Sequence, residues 1–156
     1  MTEEIKITDF RLIGLTGTNA AGKGEVAAFY RKKGYDYISL SDIIREELKN
    51  RSLPASRENL IAVGNELREK SGPDILARRA AARISGKTII DSIRHPVEIE
   101  YLRSLGSFIL LAVDAPVEIR FERAKKRGRD ESASTLEEFI EQENREKGSG
   151  GNNQQL

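Results

Sequence analysis

Arg11-Leu-Ile-Gly-Leu-Thr-Gly-Thr-Asn-Ala-Ala-Gly-Lys23 is the stretch of sequence that decides the fold. Its first six residues form a short apolar run, and the remainder, from Gly17 to Lys23, follows the spacing G-x-x-x-x-G-K. Small residues in this order let successive backbone N–H groups converge on phosphate oxygens, and the positive end of a following helix adds to their effect. The lysine then supplies a point charge. The stretch predicts a strand, a phosphate-binding loop and a helix.

Apolar runs and helical segments alternate along the rest of the chain. We predict strands at 11–16, 37–40, 88–91 and 108–113, and helices at 24–33, 43–50, 57–70, 74–84, 96–106, 117–127 and from 134 or 135 to 147. Strands separated by helices predict an α/β fold of three layers, in which a parallel sheet carries helices on both faces. We expect one domain over 1–147 and a flexible tail over 148–156, where no pattern is present.

Composition excludes several classes of function. The 156 residues carry 26 Lys and Arg against 25 Asp and Glu, and a net charge of +1 argues against nucleic-acid binding by bulk electrostatics. The absence of cysteine and the single histidine, His95, exclude a disulfide framework and a thiolate or histidine-cluster metal site. We see neither a membrane-spanning run nor a signal-peptide core. These features favour a soluble cytoplasmic protein that binds neither nucleic acid nor membranes.

The loop departs from its usual pattern directly after the lysine. Gly24 and Glu25 follow Lys23, so the Ser or Thr hydroxyl that normally helps to hold Mg²⁺ is missing. The helix dipole favours a carboxylate at Glu25, but bound phosphates would repel it. Two alternatives stay open: either Mg²⁺ is held through other groups and water, or nucleotide binding is weakened.

Further candidates follow the second and third strands, since ligands of open α/β sheets bind at the carboxyl ends of strands. Arg45 and Arg94 could converge on a second phosphate, because guanidinium groups bind phosphate in a bidentate manner. Asp91 could orient water around a metal. The alternatives are that Arg45 is a solvated helix residue, that Asp91 caps a helix, and that Ser41 or Asp42 caps the helix from 43. His95 is interpreted as structural.

Basic residues also line the helix predicted at 117–127. Arg123 and Arg127 are four residues apart, so they share one face and could reach over ATP together. The alternative is a solvated basic face that Glu118 and Glu122 balance. Residues 130–134 read as a short mobile flap, and its closure could return Arg145 to the site. Gly64 within a helix indicates either close helix packing or the approach of a substrate.

These motifs, in their order along the chain, resemble the adenylate-kinase and dephospho-CoA-kinase group of P-loop kinases. The resemblance rests on the loop, Ser41-Asp-Ile-Ile-Arg45, Ile90-Asp-Ser-Ile-Arg94 and Phe121-Glu-Arg-Ala-Lys-Lys-Arg127. A narrower likeness, to dephospho-CoA-kinase-like proteins of archaea and bacteria and to the P-loop domain of deoxycytidylate-deaminase-related proteins, rests on Asn65-Glu-Leu-Arg68 with Gly72-Pro73, Gly128-Arg-Asp130 and Glu143-Asn-Arg-Glu146.

The resemblance implies a kinase that uses ATP and Mg²⁺ and takes a small phosphate-bearing acceptor, either a nucleoside monophosphate or dephospho-CoA. Lys23, Arg94, Arg123 and Arg127 would be catalytic, and Asp91 would hold the metal through water. Asp42, Arg45 and Arg94 would bind the acceptor. ATP would be bound by Gly17, Thr18, Asn19, Ala20, Ala21, Gly22, Lys23, Gly24 and Glu25.

Relatives of this kind supply a fifth strand and a last helix after the point where this sequence ends. Without that strand, 108–113 would be an uncovered apolar edge, so we expect a C-terminal segment or the second subunit of a homodimer to cover it. A second hypothesis of a different class also stays open. In it, the chain is a catalytically weak module that binds a nucleotide and regulates a partner domain.

Overall fold

A computed structural model of the chain describes residues 4–17, 22–127 and 135–147. In these ranges the side chains of residues 127, 142, 143 and 145–147 are not described. Several sequence predictions therefore lie outside the described residues: the loop residues Thr18, Asn19, Ala20 and Ala21, the flap at 130–134, the tail at 148–156 and the side chains of Arg127 and Arg145.

The described residues form four strands and seven helices, with a single 3-10 turn at Ile7–Asp9 before them. The strands are β1 (Leu12–Gly17), β2 (Asp36–Ser39), β3 (Thr88–Asp91) and β4 (Phe108–Val113). The helices are α1 (Lys23–Arg31), α2 (Leu40–Asn50), α3 (Arg57–Ser71), α4 (Ile75–Ala81), α5 (Pro96–Ser104), α6 (Val117–Arg127) and α7 (Leu136–Lys147).

All four strands run parallel in one sheet, in the order β2-β3-β1-β4. The register pairs Ser39 with Asp91 and Gly17 with Val113, so β2 ends level with β3, and β1 ends level with β4. The predicted α/β fold is confirmed. Within the described part of the chain, β4 pairs with β1 alone and forms one edge of the sheet.

The central strands are buried on both faces, which explains why they read as continuous apolar runs rather than as alternating ones. Successive side chains of a strand point to opposite faces. Ile90 accordingly packs in a core formed with α2, α3, α4 and α5, whereas its neighbour Ile89 packs in a second core with Ala27 and Tyr30 of α1. A third, smaller cluster joins α6 to α7 through Phe121 and Phe139.

One helix start differs from the prediction. α2 begins at Leu40, directly after β2, so Ser41 and Asp42 lie in its first turn and do not cap it. Burial of Leu40 in the core outweighs the capping preference of the two polar residues that follow. Ser56 caps α3, since its hydroxyl accepts a hydrogen bond from the backbone N–H of Asn59 at 3.2 Å. α4 ends at Ala81, three residues before the predicted end.

Candidate functional site

The site lies where the carboxyl ends of β1, β2 and β3 meet. Gly17 ends β1 with a φ of 150°, and a β-carbon at this position would lie 2.0 Å from the carbonyl oxygen of Val113. Gly22, with a φ of 110°, precedes α1. Both backbone conformations favour glycine. Glycines therefore stand where the chain leaves the sheet and where it enters the helix.

Lys23 and Asp91 form an ion pair at this edge. The Nζ atom of Lys23, the first residue of α1, lies 3.7 Å from Oδ1 of Asp91, the last residue of β3. Both side chains are nearly buried. The spacing motif and the strand-end argument each predicted one of these residues, and the structure brings the two together.

Asp91 is held by two further donors. The hydroxyl of Tyr37 donates to Oδ2 at 2.6 Å, and the backbone N–H of Ser92 donates to Oδ1 at 2.6 Å. Burial raises the pKa of Tyr37, and the hydrogen bond to Asp91 raises it further, so Tyr37 stays protonated and keeps donating. α5 begins only at Pro96, so Asp91 does not cap it. Sequence reasoning missed Tyr37, because nothing along the chain links a strand residue to the end of another strand.

Asp91 provides a single carboxylate in a fixed orientation, and this is a common way for a protein to bind Mg²⁺. Mg²⁺ keeps several waters and is bound through one or two carboxylates together with substrate phosphates. Each Asp91 oxygen holds one hydrogen bond and can accept another from a metal-bound water. Across 4–17, 22–127 and 135–147, no three His, Cys, Asp or Glu side chains group into a metal cluster. The residues present therefore fit Mg²⁺ held through water.

Three serine hydroxyls form a cluster beside Asp91. Ser39 at the end of β2 lies 2.9 Å from Ser41 and 3.0 Å from Ser92, measured between Oγ atoms, and Ser41 lies 3.3 Å from Ser92. Arg45 donates to Ser41 at 3.1 Å and to Asp42 at 2.9 Å. Sequence reasoning missed Ser39 and Ser92, although hydroxyls close to the ends of two predicted strands were a usable signal.

Arg94 contacts the phosphate loop directly. Its Nη1 atom donates to the carbonyl oxygen of Gly17. The same segment reaches α2, because Ser92 lies in the hydroxyl cluster with Ser41, which accepts from Arg45. The two arginines predicted to converge thus both adjoin the hydroxyl cluster: Arg45 donates to Ser41, and Arg94 follows Ser92 by two residues. Arg45 is only partly exposed and is not a freely solvated helix residue.

α6 brings one of its arginines to the far end of the loop. A β-carbon built at Gly22 would lie 3.5 Å from Nη1 of Arg123, so this guanidinium borders the start of α1. Arg120 has a different role. Its Nε atom donates to the carbonyl of Ala115, and its guanidinium lies over the ring of Phe139. Arg123 is the described arginine of α6 that reaches the loop.

Two other residues flagged in the sequence are explained by packing. A β-carbon at Gly64 would lie 3.0 Å from Cδ1 of Ile44, so this glycine lets α3 approach α2 closely. His95 is buried, and burial together with the charge of Arg68 lowers its pKa to about 4. A buried neutral imidazole agrees with the structural interpretation.

None of the helices described is long and apolar enough to cross a membrane.

Comparison with known proteins places the chain in a family. The AAA domain family matches residues 16–140. A UPF0200 protein of Pyrococcus horikoshii is 36% identical over 148 residues, which cover 89% of this chain and 80% of that protein. The chain belongs to the AAA domain family and to the UPF0200 proteins. A UPF0200/UPF0201 protein of Archaeoglobus fulgidus is 35% identical over 152 residues, and this UPF0200 chain spans about half of its length (47%).

Solved structures support the fold of this UPF0200 chain. Shikimate kinase from Acinetobacter baumannii, in complex with shikimate, matches with a TM-score of 0.53 and 15% identity over 87% of this chain and 75% of that one. Shikimate kinase from Bacteroides thetaiotaomicron matches with a TM-score of 0.53 and 18% identity over 84% and 75%. These likenesses support a P-loop kinase fold. They give no support to the narrower resemblance to dephospho-CoA-kinase-like and deaminase-related proteins.

Proposed function

We propose that the chain is a phosphotransferase that moves the γ-phosphoryl group of MgATP to a small phosphate-bearing acceptor, a nucleoside monophosphate. The observation that carries this proposal is the Lys23–Asp91 pair, 3.7 Å apart at the end of a phosphate-loop motif. Arg94 and Arg123 border the two ends of the same loop. Three cations and one carboxylate around such a loop are the parts that phosphoryl transfer needs for positioning and charge neutralisation.

On the nucleotide side, Lys23 would exchange Asp91 for the terminal phosphates, and the N-terminal amides of α1 would add donors. Arg123 borders Gly22, where it would meet negative charge that spreads over the transferring group. Bound Mg²⁺ would neutralise phosphate oxygens, and Asp91 would hold its waters. Tyr37 would keep the Asp91 carboxylate in one orientation for that task.

On the acceptor side, Arg45 and Arg94 would bind the acceptor phosphate. A guanidinium has five N–H donors, so Arg94 can hold the Gly17 carbonyl and a phosphate at once. One acceptor phosphate oxygen forms a bond to the γ-phosphorus while the bond to the bridging β,γ-oxygen breaks, and ADP leaves. Asp42 lies beside Arg45, where it can orient the rest of the acceptor.

The chemistry of the site favours a phosphate acceptor over a hydroxyl acceptor such as dephospho-CoA. A phosphate oxygen is already ionised at neutral pH, whereas a hydroxyl must lose a proton to a base. Asp91 is proposed above to hold the waters of Mg²⁺, and Asp42 forms an ion pair with Arg45. His95 is buried with a lowered pKa. None of these three groups is placed as a general base.

A second candidate is a nucleotide-binding module with little catalytic activity, which regulates a partner. The observation that favours it is the pair Gly24 and Glu25, which leaves the first turn of α1 without a hydroxyl and puts an exposed carboxylate there. A module of this kind would bind MgATP and phosphorylate nothing.

A panel of acceptors separates the two candidates. Purified chain is incubated with MgATP and each nucleoside monophosphate, deoxynucleoside monophosphate or dephospho-CoA, and ADP and the phosphorylated product are both quantified. We expect one monophosphate to be phosphorylated, and Lys23→Ala to abolish MgATP binding, because the lysine charge is lost. Lys32→Ala, which removes an exposed lysine from the end of the same helix, is the matched control. Binding of MgATP without a phosphorylated product from any acceptor would favour the nucleotide-binding module. If Lys23→Ala bound MgATP as tightly as the wild type, both candidate functions would be overturned.

A further inference from the structure

A buried cluster of ionisable side chains lies between α3 and the start of α5, outside the site described above. Its members are Arg68 of α3, His95 before α5, and Glu98 in the first turn of α5. Their relative exposures are 4%, 2% and 0%. Arg and Glu side chains are almost never fully buried without a partner, because removing a charge from water is costly. The burial of Arg68 and Glu98 therefore needs an explanation beyond packing.

Glu98 holds the backbone at the start of α5. Its Oε1 atom accepts from the N–H of Arg94 at 2.9 Å and from the N–H of His95 at 3.0 Å. Its Oε2 atom is buried without a hydrogen-bond partner. A carboxylate at the third helical position often accepts from the backbone N–H of the residue before the helix, as Oε1 does here from His95. Burial raises the pKa of Glu98, and the two amide bonds and the charges of Arg68 and Arg94 oppose this rise.

The segment that Glu98 holds leads to the phosphate loop. The backbone N–H of Arg94 is bonded to Glu98, and the guanidinium of the same residue donates to the carbonyl of Gly17. Gly17 is itself fixed against β4, where a β-carbon would collide with the Val113 carbonyl. A continuous set of contacts thus runs from Glu98 through Arg94 to the residue at which the loop leaves the sheet.

We propose that Glu98 is a positioning residue for nucleotide binding, which acts by fixing the backbone of Arg94 so that its guanidinium holds the first residue of the phosphate loop. The positive charge of Arg68 on α3 favours the ionised form of Glu98. The inference rests on the proposed function in one respect, since it requires the loop to bind MgATP. It adds a role for Arg94 that does not depend on the identity of the acceptor.

Two conservative variants of Glu98 separate the effect of its side-chain length from the effect of its charge. Glu98→Gln keeps an oxygen at the same reach but loses the charge, whereas Glu98→Asp keeps the charge and shortens the side chain by one methylene. Calorimetric titration with MgATP is the measurement. We expect Glu98→Gln to bind within about threefold of the wild type and Glu98→Asp to bind about tenfold more weakly. Glu100→Gln and Glu100→Asp, at an exposed position of the same helix, are the matched controls.

A double-mutant cycle tests whether the effect passes through Arg94. Arg94→Ala keeps the backbone N–H and the helix cap, and we expect it to weaken MgATP binding about tenfold. Glu98→Asp should then add nothing in the Arg94→Ala background, whereas a general loss of structure would add in full. Thermal unfolding of each variant reports folding separately.

Three outcomes overturn the proposal: wild-type affinity in Glu98→Asp, wild-type affinity in Arg94→Ala, or full additivity of the two changes. Wild-type affinity in Arg94→Ala overturns the proposal even where a substitution at 98 prevents folding. A wild-type chain that does not bind MgATP contradicts the proposed function instead, so the two failures are distinguishable.

Discussion

Two buried carboxylates, seven residues apart on either side of the turn after β3, have opposite surroundings. Asp91 is 5% exposed and lies at the sheet edge, where Lys23, Tyr37 and an amide N–H contact its oxygens. Glu98 is fully buried, with two amides on one oxygen and no partner on the other. Burial is nearly the same for both, so burial alone does not separate them. Their partners differ: Asp91 contacts the ammonium group of Lys23, whereas Glu98 accepts from two backbone N–H groups.

The largest effect that we expect from this comparison is on stability. Glu98→Ala leaves Arg68 buried without its compensating charge, and it removes both amide acceptors. We expect the free energy of unfolding to fall by about 3 to 5 kcal/mol, as when one partner of a buried charge pair is removed. Urea unfolding of Glu98→Ala, Asp91→Ala and the exposed control Glu100→Ala measures this. The difference between the two carboxylates disappears if Asp91→Ala is destabilised as much as Glu98→Ala.

The next largest effect that we expect is a loss of stability at acid pH, caused by protonation of His95. Its pKa is about 4 in the folded chain and about 6.5 when unfolded, because burial and Arg68 disfavour its charge. The unfolded chain binds the proton first as the pH falls, so stability is complete above pH 6.5 and is lost between 6.5 and 4. The loss is at most about 3.5 kcal/mol at ~1.4 kcal/mol per pKa unit. The raised pKa of Glu98 acts in the opposite direction.

His95→Gln isolates this contribution. Urea unfolding at pH 7, 6 and 5 should show a smaller acid loss in His95→Gln than in the wild type. Parallel curves for the two proteins would mean that His95 is already protonated in the folded chain at pH 6.

Tyr37→Phe tests the Asp91 side of the comparison. It removes the hydroxyl that orients the carboxylate, and it should cost about 1 kcal/mol of stability. Since such partners tune metal sites, the Mg²⁺ concentration for half-maximal ATP binding should rise about fivefold. Tyr101→Phe, at a half-buried position on α5, is the matched control. An unchanged Mg²⁺ requirement would remove Tyr37 from the account of the metal site.

The smallest effect is expected at Gly24. Among the described residues, a β-carbon there would meet no atom within 4 Å, so Gly24→Ala and Gly24→Ser should both fold. Either should stabilise the helix by about 0.5 kcal/mol. Only the serine variant adds a hydroxyl beside Lys23, and we expect it alone to lower the Mg²⁺ requirement, by about twofold. Equal Mg²⁺ curves for the two variants would show that a hydroxyl at this position contributes nothing.

The sequence allowed the fold to be predicted because its signals are local. Apolar runs such as 108–113 are bounded by turn residues, and the parallel order follows from the helices between them. Lys23 was found from its spacing, and Asp91 and Arg94 from their place after a strand. Their neighbours in space could not be found in this way, because Tyr37 and Asp91 meet only through pairing of β2 with β3.

The buried cluster was beyond sequence reasoning for a related reason. Arg68 and Glu98 lie on different helices, and only the packing of the fold brings their charges together. The capping role of Glu98 could have been predicted from the sequence, because Glu98 follows His95 by three residues, where a capping carboxylate is expected. Its burial depends on neighbours far along the chain. The start of α2 was wrong for the same cause, since the core position of Leu40 is not a local property.

The contact between residue 17 and β4 has a consequence for how such motifs are interpreted across a family. The carbonyl of Val113 excludes any side chain at this position, whether or not a nucleotide is ever bound. A descendant that had lost all affinity for phosphate would still keep this glycine, because the neighbouring strand requires it. A glycine at position 17 in a relative therefore indicates only that the same strands are paired. Loss of the lysine at position 23 would instead indicate that the relative no longer binds phosphate.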